Sequence, residues 1–316
     1  MPILQTIPIE RPAIWGGTRL REYFRYPWFG DAIGQSWSFS AQADASNVIQ
    51  GGPHDGKTLR MLWQEQPNLF QSRFSDFPVI ISLVAPMDDL SIQIHPNASI
   101  AKAQGYSTGK NEAWYFLEAP AAGNIVYGHR APDKAALRDM IASDRWDALL
   151  DYLPVQQGDF VYLPAGILHA LRKGAVVYEI QQATDVTYRF YDYHRKDAQG
   201  QERPLHLEQA IACVDDALGR QDAHPLPKTN VLAGGTETVF IRNESFCVSR
   251  YEINGEQALR FDGYQLCTVV GGAGTADGIP LQIGSNFLLP AYEAVLISGH
   301  VTLMATCEPQ TRLVTP

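Results

Sequence analysis

"LSIQIHP", residues 90–96, is the stretch on which the reading of this chain turns. Leu90, Ile92 and Ile94 alternate with Ser91, Gln93 and His95, and Pro96 ends the run. Alternation with a period of two marks a half-buried β-strand, because successive side chains point to opposite faces. One face is aliphatic and belongs to a core. The other carries a hydroxyl, an amide and an imidazole in a row, and burying these is costly unless they meet partners.

The strand signal continues on both sides. "VIISLV" (79–84), "AWYFLE" (113–118), "NIVY" (124–127), "DFVYL" (159–163), "AVVYEIQ" (175–181) and "VTYRFY" (186–191) are rich in β-branched and aromatic residues, with Gly, Pro or Asn between them. So many short strands predict a mainly β fold, a sandwich or jelly-roll barrel. Helical spacing is confined to 58–66, 132–153 and 205–215, and within the longest of these Asp133 is the candidate cap of a first helix and Ser143 or Asp144 that of a second. None of the three carries a polar constellation, so they are expected to be short packing helices. Pro, Gly and charge concentrate in "DDALGRQDAHPLPKTNVLAGG" (215–235). That predicts a larger block over 1–230 and a smaller, structural β block over 231–316, in which His300 is nearly alone as a ligand-type residue.

Bulk properties exclude several classes of function. A net charge of −9 over 316 residues argues against a nucleic-acid or membrane-surface partner. No apolar run approaches the roughly 20 residues of a membrane span. The opening "MPILQTIPIERPAIWGG" has no basic segment followed by an apolar one, so the expectation is a cytoplasmic protein without a signal peptide. Cys213, Cys247, Cys267 and Cys307 form no CxxC pair and are expected as buried, reduced thiols. Monomer and homodimer are both compatible with the sequence.

Two further motifs supply chemistry. Glu112 sits in "TGKNEAWYFLE" (108–118), and His169 follows a Pro-Ala-Gly turn in "GDFVYLPAGILHAL" (158–171). With Gln93 and His95 they make two imidazoles, a carboxylate and an amide, a donor set suited to Zn²⁺. Pattern alone leaves a metal site and a set of hydrogen-bonded polar residues both open. His54, His129, His194, His206, His224 and His300 are taken as hydrogen-bonded residues without a ligand role. Glu179, in the apolar "VVYEIQQ", is a costly carboxylate to bury without purpose. It is either a general base with a raised pKa or a partner that orients a ligand histidine. Lys110, two residues before Glu112, is the other candidate for proton handling, or for a substrate contact.

"IWGG" (14–17), "LSIQIHP", "GKNEAWY", "GDFVYLPAGILHAL", "TYRFYDYHRKD" (187–197) and "RPLHLEQAI" (203–211) occur in an order that resembles the type I phosphomannose isomerases in their short bacterial form. The resemblance implies two cupin-type jelly-roll β-barrels and one divalent metal, usually zinc, held by Gln93, His95, Glu112 and His169. It also implies a small sugar phosphate as substrate, with interconversion of mannose 6-phosphate and fructose 6-phosphate, and for that phosphate Ser91 and Arg195 are the candidate donors. Arg189 would be the cation that stabilises the developing oxyanion; its plainer reading is a strand arginine paired with Asp185 or Asp192. The chain departs from the family pattern at Ser82, where a lysine is common, at Gln35, where a glutamate is expected, and at Ala98, where "HPND" is common. The departures at Ser82 and Gln35 motivate an alternative, a sugar- or sugar-phosphate-binding relative with altered catalysis. A cupin-type Fe²⁺ oxygenase is a further alternative, although its usual His-x-His pair is here Gln93 and His95.

Overall fold

Continuous burial, rather than alternation, marks Val79–Val84, Glu112–Glu118 and Val176–Gln182. The computed structural model, which describes residues 3–314, shows the cause. These strands are the middle of a six-stranded antiparallel sheet ordered Phe160–Leu163, Glu112–Glu118, Val176–Gln182, Val79–Val84, Ile33–Phe39, Ile9–Gly17. Both of its faces are covered. On one side Trp114, Phe116 and Val177 pack with Ile125, Tyr127 and Leu171. On the other, Leu83, Tyr115 and Tyr178 pack with Phe246, Val248, Leu266 and Met304. A sheet buried on both faces has no polar side to show, so its strands lose the alternating pattern.

The first covering layer is a five-stranded antiparallel sheet ordered Tyr188–Tyr191, Ile92–Ile94, His169–Ala170, Asn124–His129, Leu150–Pro154. The five- and six-stranded sheets enclose the interior of a jelly-roll barrel. The second layer is a nine-stranded sheet whose long strands Cys247–Arg260 and Ala294–Cys307 pair from end to end. It wraps its own apolar interior of Ile253, Phe261, Val269, Ile297 and Leu303. Leu4–Ile7 and Val48–Gln50 join this sheet through Asn286–Leu289, so it draws on residues from both sides of position 230. Lys228–Leu232 itself spans that position.

The helices are short, as expected, but one segment differs. Thr58 and Asp133 cap Leu59–Glu65 and Lys134–Ala142 by accepting from Met61 N and Ala136 N. The second of the two helices expected within 132–153 stops early: Trp146–Leu149 is a single turn, and Leu150–Pro154 is a strand paired with Asn124–His129. Asp144 does not cap that turn; it takes a left-handed φ of 54°, and Arg145 occupies the cap position. Apolar residues near the end of a helical run fit a buried edge strand equally well, and the open edge at Asn124–His129 decides between them. No helix among the described residues is long and apolar enough to cross a membrane.

Candidate metal centre

Register brings the chemistry to one place. In the five-stranded sheet Arg189 is opposite Gln93, Gln93 opposite His169, and His169 opposite Tyr127, so these side chains share the inward face. His95, two residues beyond Gln93, shares it too. From the facing sheet comes Glu112, which pairs with Gln181. Gly166, in the Pro-Ala-Gly turn, has φ +100° and donates its N–H to the His95 carbonyl at 3.0 Å. A side chain is strained at that φ, so the glycine lets the loop before His169 close against the strand of His95.

Glu112 Oε2 is 3.3 Å from His95 Nε2 and 3.4 Å from His169 Nε2, and all three residues are buried. Each imidazole has its other nitrogen engaged: His95 Nδ1 donates to the Val186 carbonyl at 2.8 Å and His169 Nδ1 to the Ile167 carbonyl at 3.0 Å. That fixes the tautomers, leaving an unprotonated Nε2 on each ring. Burial lowers the His95 pKa to about 4, so the ring is neutral near pH 7. The result is three buried acceptor atoms facing one another with no proton to share and no hydrogen-bond partner. Such an arrangement is repulsive in itself, and a cation resolves it. The residues present therefore fit a bound divalent metal.

The surrounding charges are arranged around Glu112. Lys110 Nζ lies 3.0 Å from Glu112 Oε1. Burial alone would lower the lysine pKa, but the Glu112 charge raises it, so the ammonium persists. Burial would raise the Glu112 carboxyl, yet the Lys110 ammonium beside it helps to hold it well below the usual carboxylate range. Glu179 is placed differently. Its Oε2 accepts from Ser82 Oγ at 2.6 Å and its Oε1 from Trp114 Nε1 at 2.9 Å, and the Trp114 ring stands edge-on to His169 at 5.6 Å. Burial, reinforced by the Glu112 charge, pushes the Glu179 carboxyl up to about 7.

The remaining sequence candidates divide. Ser91 is buried and donates to Gln93 Oε1 at 3.1 Å, which orients that amide rather than facing open space. Arg189 makes no ion pair among the described residues; its Nε is buried without a partner, and burial, with the Arg203 charge, lowers its pKa. Arg195 is engaged within the protein. Its guanidinium is engaged by Asp192, by the Asp89 carbonyl at 2.5 Å and by Asp88 at 3.4 Å. Sequence reasoning missed Gln181, whose Nε2 is buried and unpartnered on the inward face. Its position two residues after Glu179 was the available signal. It also read Ser82 only as a missing lysine, whereas the hydroxyl is a hydrogen-bond partner of Glu179.

Paired β-barrels with a His–Glu–His centre in the first define a metal-binding protein of the cupin kind. Residues 6–118 match the family model described as phosphomannose isomerase type I, catalytic domain. The probable mannose-6-phosphate isomerase GmuF of Bacillus subtilis is 36% identical over 310 residues, covering 95% of this chain and 96% of that protein. The mannose-6-phosphate isomerase of Streptococcus mutans is 37% identical over 283 residues, 88% of this chain and 89% of that one. The crystal structure of the mannose 6-phosphate isomerase from Bacillus subtilis superposes with a TM-score of 0.92 at 35% identity, over 97% of this chain and 99% of that chain. The chain belongs to the type I phosphomannose isomerase family.

Proposed function

We propose that this protein is a metal-dependent aldose–ketose isomerase that interconverts mannose 6-phosphate and fructose 6-phosphate, with Zn²⁺ held by Gln93, His95, Glu112 and His169. The observation that supports it most is the convergence of the two Nε2 atoms and Glu112 Oε2, each buried and unpartnered, in a chain of this family. When bound there, the metal supplies Lewis-acid polarisation of the sugar carbonyl.

The chain's own groups do the rest. Glu179, titrating near neutrality, takes the proton from C2 of the aldose and returns it to C1, which moves the carbonyl by one carbon through an enediol. Lys110 Nζ donates to O1 as charge develops there and recovers a proton from the O2 hydroxyl, so the exchange balances. Arg189 offers a fixed positive charge to the developing oxyanion, its buried Nε being unengaged in the protein. Gln181 Nε2 is available to a sugar hydroxyl. A coupled turnover assay with metal analysis tests the reading. Conversion in both directions by metal-loaded protein is expected, and no conversion of either sugar phosphate with Zn²⁺, Mn²⁺ or Co²⁺ would reject it.

A further inference from the structure

Arg11 lies on Ile9–Gly17, the edge strand of the six-stranded sheet. Register pairs it with Gln35, and Gln35 with Val84, a member of the barrel-interior core, so Arg11 faces the barrel rather than the second sheet. Its guanidinium carbon is 4.1 Å from the centroid of the Trp37 ring. Trp37 is in register with Ser82, Ser82 with Glu179, and Glu179 with Trp114, whose ring meets His169. One row of side chains thus connects the stacking partner of Arg11 with the metal centre.

The tip of Arg11 approaches the same centre from another direction. Arg11 Nη2 is 3.9 Å from Asp185 Oδ2, and Asp185 precedes Val186, whose carbonyl holds His95 Nδ1. The arginine therefore spans the barrel mouth, from the edge strand to the loop that positions a metal ligand. Its pairing there is loose. The distance exceeds a hydrogen bond, and the two side chains are 35% and 50% exposed. Pairs of this kind contribute little to stability. Among the described residues Arg11 donates no hydrogen bond, in contrast to Arg195 and Arg203, whose guanidinium groups are both engaged by Asp192. A guanidinium stacked on an indole has one face covered and its fork of N–H donors still free.

We propose that Arg11 is the phosphate anchor of the substrate site, with Asp185 a placeholder that the phosphate displaces. This rests on the isomerase reading above and supplies an anion contact from a guanidinium whose N–H donors are free, in contrast to the engaged Arg195. A phosphate dianion takes the guanidinium fork bidentately, which a single carboxylate at 3.9 Å does not achieve. The reacting carbons and the phosphate lie at opposite ends of a hexose 6-phosphate. An anchor across the mouth from the ligand cluster is where such a molecule needs one.

Inorganic phosphate is the probe, read by calorimetry on the metal-loaded protein alongside KM for mannose 6-phosphate. Arg11→Gln is expected to weaken phosphate binding and raise KM by roughly tenfold or more, with a smaller change in kcat. Asp185→Asn, which removes the competitor, is expected to tighten both by a few-fold. A purely structural role for the pair would move both variants in the same direction. That result, or phosphate affinity in Arg11→Gln equal to the parent's, would overturn the anchor. If Arg11→Gln fails to fold, Arg11→Lys with Asp185→Asn gives the same two-sided reading, the lysine keeping charge without the fork. If the parent turns over no sugar phosphate, the isomerase reading fails, while phosphate calorimetry still decides the role of Arg11.

Discussion

The two barrels have related architectures and opposite interiors. The first buries His95, Lys110, Glu112, His169 and Glu179 within its walls, and several of their polar atoms have no partner. The second encloses Ile253, Phe261, Val269, Ile297 and Leu303. Glu308, the buried acidic residue among the described residues of the C-terminal block, is satisfied by Ser72 and Arg73. An unsatisfied buried polar group costs about 1–3 kcal/mol. A fold tolerates several of them side by side only where something from outside completes them. Unmet acceptors, more than the barrel form, separate the working half of the molecule from the supporting half.

The strongest challenge to that contrast is removal of a ligand. His95→Ala and Glu112→Ala should each lose the metal on desalting, by elemental analysis, and lower turnover by roughly a thousandfold or more. Glu112→Ala should also unfold at lower denaturant than His95→Ala when both are metal-free. It leaves the Lys110 ammonium buried without its carboxylate, a loss of about 3–5 kcal/mol. Equal stability of the two metal-free variants would show that Lys110 finds another partner. Arg189→Ala comes next: metal retained, kcat lower by about 10²–10³. Metal loss in that variant would instead make the arginine part of the ligand scaffold.

Glu179 gives a pH test with two opposed signs. Its folded pKa is about 7 against an ordinary 4.5, so between these values the folded chain holds a proton that the unfolded chain has released. Stability contributed by this group is therefore present below about pH 4.5 and lost as pH rises toward 7. Activity that needs the carboxylate rises through the same window. Denaturant melts at pH 5 and 8, with a kcat/KM profile, should show the two trends crossing. Glu179→Gln should flatten the stability trend and lower kcat by about 10²–10⁴. A variant with near-parental kcat would leave Glu179 as a partner that orients His169 through Trp114.

The parts legible in the sequence follow from periodicity. Gln93 and His95 had to share a face because they are two apart on a strand, and the ordered motifs around them carried the family and its β-barrels. What the sequence concealed are features set by neighbours distant along the chain. Leu150–Pro154 reads as the end of a helix until the edge of Asn124–His129 is seen beside it. Ser82 looks like a vacated position until Glu179 lies opposite it in register. Arg195 is a plausible phosphate donor in one dimension, and only folding shows Asp192, Asp88 and Asp89 around it. Arg11, near the "IWGG" motif, drew no notice because its partners, Trp37 and Asp185, are far away in sequence.

The smallest effects on activity belong to the second barrel, where adjacent residues sharpen the comparison. Leu303 points into that barrel's own core, while Met304, on the opposite face of the same strand, packs into the cluster that backs the six-stranded sheet. Both are fully buried, and truncation of either to Ala should cost about 2–5 kcal/mol by denaturant unfolding. Their catalytic effects should differ. The cavity left by Leu303→Ala is walled off from the first barrel, so kcat at temperatures well below unfolding should match the parent. Met304→Ala loosens the support beneath Tyr178, the neighbour of Glu179, and a fall in kcat of a few-fold is expected as that carboxyl loses its fixed position. Identical kcat losses in the two variants would mean that the second barrel transmits strain to the site as a whole, rather than through the single sheet face it shares with the first.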